Sequence, residues 1–192
     1  MALDSESRWR LVRKAKAQAA AAVEPEGEVT IRTATSADLK EIVDIYNFYI
    51  LNSVITFDLE EQNLADWKSK FKWLEGLEMP FVVAVSPSGQ ILGFGYLAPW
   101  RQKAAFRRTV ENTIYLKPSA IGKRTGTKLM TELLARGKKA GIREVVAVIS
   151  DRGAEASIAL HKKFKFEEQG RLGKVGFKFG KWLGTIIFQK SL

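Results

Sequence analysis

The stretch from Thr109 to Ser150 places the tightest limits on the fold. "TVENTIYL" alternates apolar and polar residues with the two-residue period of a strand, and "KPSAIGKRTG" is a glycine-bearing turn. Thr127 to Ala140 then carries Leu129, Met130, Leu133 and Leu134 at helical spacing, and "REVVAVIS" reads as a strand buried on both faces. A helix between two strands must cover one face of a sheet, which points to an α/β domain.

The same punctuation continues in both directions. "VTIRTA" alternates as a strand, and "TSAD", Thr35 to Asp38, forms a capping box. It opens a helix with Leu39, Ile42, Val43, Tyr46 and Ile50 on one side. "VITFD" is a short apolar connection, and Glu60 to Leu77 reads as a second helix carrying Leu64, Trp67, Phe71 and Leu74. "FVVAV" and "QILGFGYL" pair as a hairpin around Pro87 and Gly89. "AEASIALHKKF" is a helix and "GTIIFQKSL" a last strand. Helices between separated strands, together with a hairpin, predict a mixed, mostly antiparallel sheet of six to seven strands flanked by helices.

A chain of 192 residues with 46% hydrophobic side chains suits one such domain, placed at residues 29–192. Residues 1–28 read as a basic, alanine-rich tail, helical or flexible: "SRWRLVRKAKAQAAAA" favours helix and "EPEGE" interrupts it. The tail holds five basic and five acidic side chains, so the whole net charge of +10 belongs to the domain. Eight basic residues against the single acid Glu111 lie between Arg101 and Lys128, a density that draws an anionic ligand. The ligand class includes nucleic acid and phosphorylated cofactors.

The chain has no cysteine, which excludes disulfides, zinc thiolates and a cysteine nucleophile. Its one histidine, His161, rules out a multi-histidine metal site. No apolar run approaches the ~20 residues a membrane helix needs.

Three features carry chemistry. The strand, turn and helix at "SAIGKRTG" leave backbone N–H groups and a positive helix end facing the turn, an arrangement that suits pyrophosphate, although two glycines alone could merely shape a loop. Glu111 sits mid-strand, pointing opposite Val110 and Asn112; such a carboxylate is either paired with a base or lines a cavity as a general base. Arg101, Lys103, Arg107 and Arg108, interleaved with Trp100 and Phe106, form either a solvated loop or one wall of an anion pocket.

Beyond these patterns, "IRTATSADLKEIVDIYNFYILNSVITFD", "PWRQKAAFRRTVENTIYLKP", "VVAVIS", "ASIALHKKFKF" and "VGFKFGKWLG" together resemble the GNAT superfamily, and within it the phosphinothricin and methionine sulfoximine N-acetyltransferases. The resemblance spans Val29 to Leu192. It implies transfer of an acetyl group from acetyl-CoA to a primary amine by direct attack, without a covalent enzyme intermediate. Glu111 matches the general base, and His161 a histidine with a supporting catalytic part. Ile114, Tyr115 and Leu116 match the strand end that meets the cofactor's arm. Ile121, Gly122, Lys123, Arg124, Thr125, Gly126 and Thr127 match its pyrophosphate loop, with Ala154 and Ser157 on the following helix. Phe57, Trp100, Arg101, Lys103, Phe106 and Asn112 match the substrate side. A cytoplasmic homodimer acting on a small amino acid or analogue is implied, with no metal, no nucleic acid and no membrane.

The departures lie on the cofactor side. The family's loop carries Arg or Gln, then Gly, then Gly or Ala, where a gapless register has Ile121, Arg124 and Gly126; a shift by two gives Lys123, Gly126 and Lys128. The gapless register keeps the helix face and the spacing to Gly141. An asparagine of the family becomes Ala154, and the glycine of its "LGF" becomes Lys165. Arg124 either strains a left-handed position or turns its guanidinium onto the phosphate. Two rival readings follow: a catalytically weak GNAT domain that binds CoA or a partner, and a basic nucleic-acid-binding protein.

Overall fold

In chain order, the strands are β1 (Thr30–Thr33), β2 (Phe81–Val85), β3 (Ile91–Pro99), β4 (Thr109–Leu116), β5 (Glu144–Ser150), β6 (Glu167–Lys178) and β7 (Lys181–Ser191). The helices are α1 (Leu39–Asn52), α2 (Leu64–Gly76), α3 (Thr125–Lys139) and α4 (Glu155–Lys163). This computed structural model describes residues 27–192, so all but the last two residues of the expected tail lie outside the described part. The seven strands form one sheet in the order β1-β2-β3-β4-β5-β7-β6. Every pairing is antiparallel except β4 with β5, which α3 connects, so the sheet is mixed as expected.

Helices cover both faces. On one, Leu129, Met130, Leu133 and Leu134 of α3 pack on Val82, Leu97, Val110, Val145, Ala147, Ile149, Ile186 and Phe188. On the other, Leu39, Ile42, Ile45 and Tyr49 of α1 and Trp67 and Leu74 of α2 pack on Phe81, Val83, Phe94 and Tyr96. Side chains buried this completely stabilise the fold by about 1.5–3 kcal/mol each. Val148 departs from the expectation of a strand buried on both faces. It is 38% exposed, because the cluster on its face is built on β2 and β3.

Three other boundaries differ from the sequence reading. Helix α2 starts at Leu64 instead of Glu60, because Asn63 is the N-cap and its side chain accepts from the Asp66 N–H at 2.9 Å. Helix α3 starts two residues early, at Thr125. The capping box is present, but it closes a 3-10 turn, Ser36–Asp38, ahead of α1. Strand β6, which periodicity does not reveal, lies at the sheet edge with nearly every residue exposed.

Helices α2, α3 and α4 end alike. The N–H groups of Met79, Ile142 and Phe166 reach back to the carbonyls of Leu74, Gly137 and His161 at 2.9, 3.0 and 3.0 Å. Each such closure needs a left-handed residue just before it, and these are Glu78, Gly141 and Lys165, at φ 55°, 79° and 61°. Only the middle one is glycine.

Candidate active site

The functional geometry starts from an interrupted strand pairing. β4 pairs with β3 from Val110 to Leu116, yet with β5 only over Thr109, Glu111 and the residue between them. From Asn112 onward the two parallel strands diverge, leaving the β5-facing backbone edge of Asn112 to Leu116 without a strand partner. Ile114 and Leu116 turn their backbone groups toward this open edge, where an extended ligand can take up those left free, while Tyr115 turns its carbonyl toward β3 and the Leu116 carbonyl accepts from Tyr49.

Alternation along β4 sorts its side chains. Val110, Asn112, Ile114 and Leu116 face α3 and α4, while Glu111, Thr113 and Tyr115 face α1 and α2. Glu111 is flanked across the sheet by Ala98 and Val146. Its carboxylate makes no hydrogen bond or ion pair among the described residues, so the basic neighbour left open by the sequence does not pair with it directly. Burial raises its pKa above the ordinary glutamate value, and the positive charge of Arg101 acts in the opposite direction. A carboxylate with a raised pKa and free lone pairs can take a proton from an ammonium or from a bridging water.

Further along the same face of β4 the surroundings are aromatic. Tyr115 contacts Tyr46, Tyr49 and Phe94 at ring separations of 5.0, 5.4 and 5.7 Å. Burial holds all three phenols above the usual tyrosine range, so they stay protonated donors. Tyr46 donates to Asp58 at 2.7 Å and lies 3.1 Å from the Thr56 hydroxyl; Tyr49 donates to the Leu116 carbonyl at 2.6 Å. The segment holding Thr56 and Asp58 crosses from α1 toward β6. Val54 and Ile55 flank Gly153, the Phe57 ring covers Gly176, and the buried Lys178 ammonium donates to the Thr56 carbonyl at 2.9 Å. A Cβ on Gly176 would lie 2.6 Å from the Phe57 ring, so a side chain there would displace the ring. The polar roles of Thr56, Asp58, Tyr46 and Lys178 escaped the sequence reading, which has Tyr46 only on the apolar side of its helix. Tyr46, Thr56 and Asp58 lie in the resemblance block that ends in "VITFD", and Lys178 in "VGFKFGKWLG".

Of the other expected substrate-side residues, Trp100 is half-buried, with the Arg101 guanidinium 4.9 Å from its ring centre. Arg101, Lys103 and Phe106 are exposed on the β3–β4 loop, at the same end of β4 as Glu111. Asn112 belongs elsewhere. It is buried on the opposite face of β4, 3.1 Å from His161 Nε2 and 3.8 Å from the Met130 sulfur. This corrects its assignment to the substrate side, because β-strand alternation turns it away from Glu111.

His161 shares that interior position, with 4% of its surface exposed. Its Nδ1–H donates to the Ser157 carbonyl at 2.8 Å, so Nε2 is the acceptor for the Asn112 amide. Burial lowers its pKa, opposed by the bond to Ser157. Both nitrogens are engaged behind β4, and the Glu111 carboxylate points from the other side.

The basic turn between β4 and α3 is the candidate for the anion-binding part. Gly122 and Arg124 have φ of 79° and 63°, and Arg124 is the N-cap of α3. The N–H groups from Gly122 to Thr127 find no acceptor among the described residues. Lys123 and Arg124 are exposed, Ile121 is half-buried, and Lys163 of α4 reaches the Thr127 hydroxyl at 3.3 Å. Thr125 is buried and its hydroxyl has no partner; Gly126 is buried against Leu116 and Leu160. Ala154 caps α4, buried and with no side-chain hydrogen bond to give. An open strand edge leading to free N–H groups and cations fits a ligand with an amide-bearing arm and a pyrophosphate. The strain alternative for Arg124 is realised: a non-glycine residue in the left-handed region costs about 1–2 kcal/mol.

Among the described residues there is no cluster of three or more potential metal ligands, and no helix is long and apolar enough to cross a membrane.

Comparison with known proteins agrees with this geometry. The model of the acetyltransferase (GNAT) family matches residues 41–166. Phosphinothricin N-acetyltransferase of Alcaligenes faecalis is 31% identical over 163 residues, covering 85% of this chain and 82% of the relative. The L-methionine sulfoximine/L-methionine sulfone acetyltransferase of Pseudomonas aeruginosa is 34% identical, covering 85% and 94%. A GNAT phosphinothricin acetyltransferase from Sinorhizobium meliloti, solved with acetyl-CoA, superposes with a TM-score of 0.82 at 39% identity, covering 85% of this chain and 88% of its own.

Proposed function

Since the chain belongs to the GNAT family of acetyltransferases and is an acetyl-CoA-dependent N-acetyltransferase, we propose that its acceptor is the free amine of a small amino acid or close analogue, with Glu111 as general base. The observation that carries the reading is Glu111: a partly buried, unpaired carboxylate at the point where β4 and β5 separate. The names of the relatives, acting on phosphinothricin and methionine sulfoximine, support the acceptor class.

When bound, acetyl-CoA supplies an acyl group activated as a thioester. Ile114 and Leu116 would hold its arm along the free edge of β4, with the Tyr115 ring on the strand's other face, and the turn from Ile121 to Thr127 its pyrophosphate. Glu111, ionised, accepts the proton that makes the amine nucleophilic. Arg101 and Lys103, at the same end of β4, hold the acceptor's carboxylate by charge-assisted hydrogen bonds. Tyr46, Tyr49 and Tyr115 close the apolar side and exclude water. His161 and Asn112 support β4 from behind, fixing the strand that carries Glu111.

The enzyme works as a homodimer in the cytoplasm on this reading. Leu172, Val175, Phe177 and Trp182, all more than half exposed on the β6–β7 hairpin, support a second copy as their cover. Thiol release from acetyl-CoA, measured across a panel of amino acids, phosphinothricin and methionine sulfoximine, tests the acceptor class. Turnover of at least one of them is expected. Binding of acetyl-CoA without turnover of any would reject this reading in favour of a catalytically weak domain.

A further inference from the structure

Lys178 buries a positive charge at the end of β6. It pairs across the hairpin with Lys181 of β7, yet only 3% of its own surface is exposed. Burying an ammonium is costly unless it is hydrogen-bonded, and a second cation on the opposite strand adds to the cost. Its Nζ donates to the Thr56 carbonyl at 2.9 Å, 122 residues earlier in the chain, and stands 5.1 Å from the centre of the Phe179 ring. The bond to Thr56 leaves the hairpin and reaches the segment between α1 and α2.

That segment is held from α1 as well. The Thr56 hydroxyl lies 3.1 Å from the Tyr46 hydroxyl and accepts from the Asp58 N–H at 3.3 Å, while Tyr46 donates to Asp58 at 2.7 Å. Two residues before Lys178, on the same face of β6, Gly176 carries no side chain and the Phe57 ring lies over it. Phe57 therefore sits between two anchored residues, with its ring seated on the strand that supplies Lys178. Thr56 is buried but Phe57 only half-buried, so part of the ring stays open to a ligand. Tyr46 carries the arrangement on to β4: its ring is 5.0 Å from that of Tyr115, on the face that also bears Glu111.

We propose that Lys178 is a positioning residue for the acceptor: by holding the Thr56 carbonyl it fixes the Phe57 ring as a wall of the acceptor pocket. The inference rests on the acceptor reading, which puts Phe57 on the substrate side, and goes further by giving the buried ammonium of β6 a part in acceptor selectivity. Lys178 touches neither substrate nor cofactor and acts through Thr56 and Phe57. A displaced ring changes the fit of the acceptor's side chain while Glu111 on β4 and the turn before α3 stay in place.

Steady-state kinetics over the amine panel, with calorimetric titration of CoA, on wild type, Lys178→Met, Lys178→Arg and Gly176→Ala, test it. Methionine keeps an unbranched stem and loses the donor. In Lys178→Met the KM for the best amine should rise about tenfold, the scale of one methylene in an apolar pocket, with kcat within about threefold and CoA affinity unchanged. The order of preference among amines of different side-chain size should change with it. Lys178→Arg, which restores a donor, should recover most of the loss. Gly176→Ala pushes the same ring from its other support and keeps the buried ammonium, so it should shift KM and preference likewise; if Lys178→Met does not fold, this variant decides. Unchanged KM across the panel, or a parallel loss of kcat and CoA affinity, in the folded variants overturns the proposal and leaves the acceptor reading standing. A wild-type chain that turns over none of the amines overturns the acceptor reading and this inference together.

Discussion

Lys165→Gly should stabilise the protein without touching its chemistry. Lys165 ends α4 in the left-handed region at φ 61°, between the Lys165 N–H bond to Lys162 and the Phe166 N–H bond to His161. The left-handed conformation costs a residue bearing Cβ about 1–2 kcal/mol. Glycine removes that cost but adds about 0.5–1 kcal/mol of unfolded-state entropy. The side chain is exposed, so no buried contact is lost. The net gain is about 0.5–1 kcal/mol, and at roughly 2–4 °C per kcal/mol for a chain of this length the melting temperature should rise by about 1–4 °C. Differential scanning calorimetry with Lys165→Ala as the control separates backbone from side chain. Alanine keeps Cβ and its strain, so it should show no comparable gain. Equal stabilisation by alanine and glycine would refute the argument, because the effect would then belong to the lysine side chain.

Two further outcomes follow from the site. In Arg101→Met the charge that lowers the Glu111 pKa is gone, while the burial that raises it remains. Because the base works ionised, the acid limb of kcat/KM against pH should move to higher pH than in wild type; an unchanged or lower limb would contradict the coupling. Gly93→Ala places a Cβ 2.5 Å from the Leu116 side chain and 2.7 Å from the Tyr115 carbonyl, forcing β3 away from the open end of β4. Overpacking of this kind costs about 1–3 kcal/mol, so the melting temperature should fall and cofactor affinity weaken with it. Chemical denaturation and calorimetric titration of the variant check both.

Much of the fold is legible in local pattern. β4 reads directly, since its alternating residues and the turn that follows are encoded within a few positions. The capping signal at Asn63, three residues before Asp66, was also present; the longer apolar pattern from Glu60 obscured it. β6 was illegible for a physical reason. At the sheet edge it buries almost nothing, so "EEQGRLGKVGFK" has no hydrophobic period, and its pairing to β7 is a backbone property. The separation of β4 from β5 is a matter of register between strands and leaves no mark on either sequence. Glu111 could be singled out as the one acid in a basic stretch. Asn112, its neighbour, is put on the substrate side by the resemblance alone; alternation already sets it opposite Glu111, and its contact with His161, 49 residues further along the chain, is not legible locally. The left-handed backbone of Arg124 runs against residue preference altogether, and local reasoning could only pose the alternatives.

The central claim is that Glu111 takes the proton from the acceptor amine. kcat/KM for the best amine of the panel, measured on wild type and Glu111→Gln beside their CoA affinities, tests it most directly. Glutamine keeps the shape and loses the base, so a fall of about 10²–10⁴-fold with unchanged CoA affinity is predicted. Turnover by Glu111→Gln within a few fold of wild type would contradict the account.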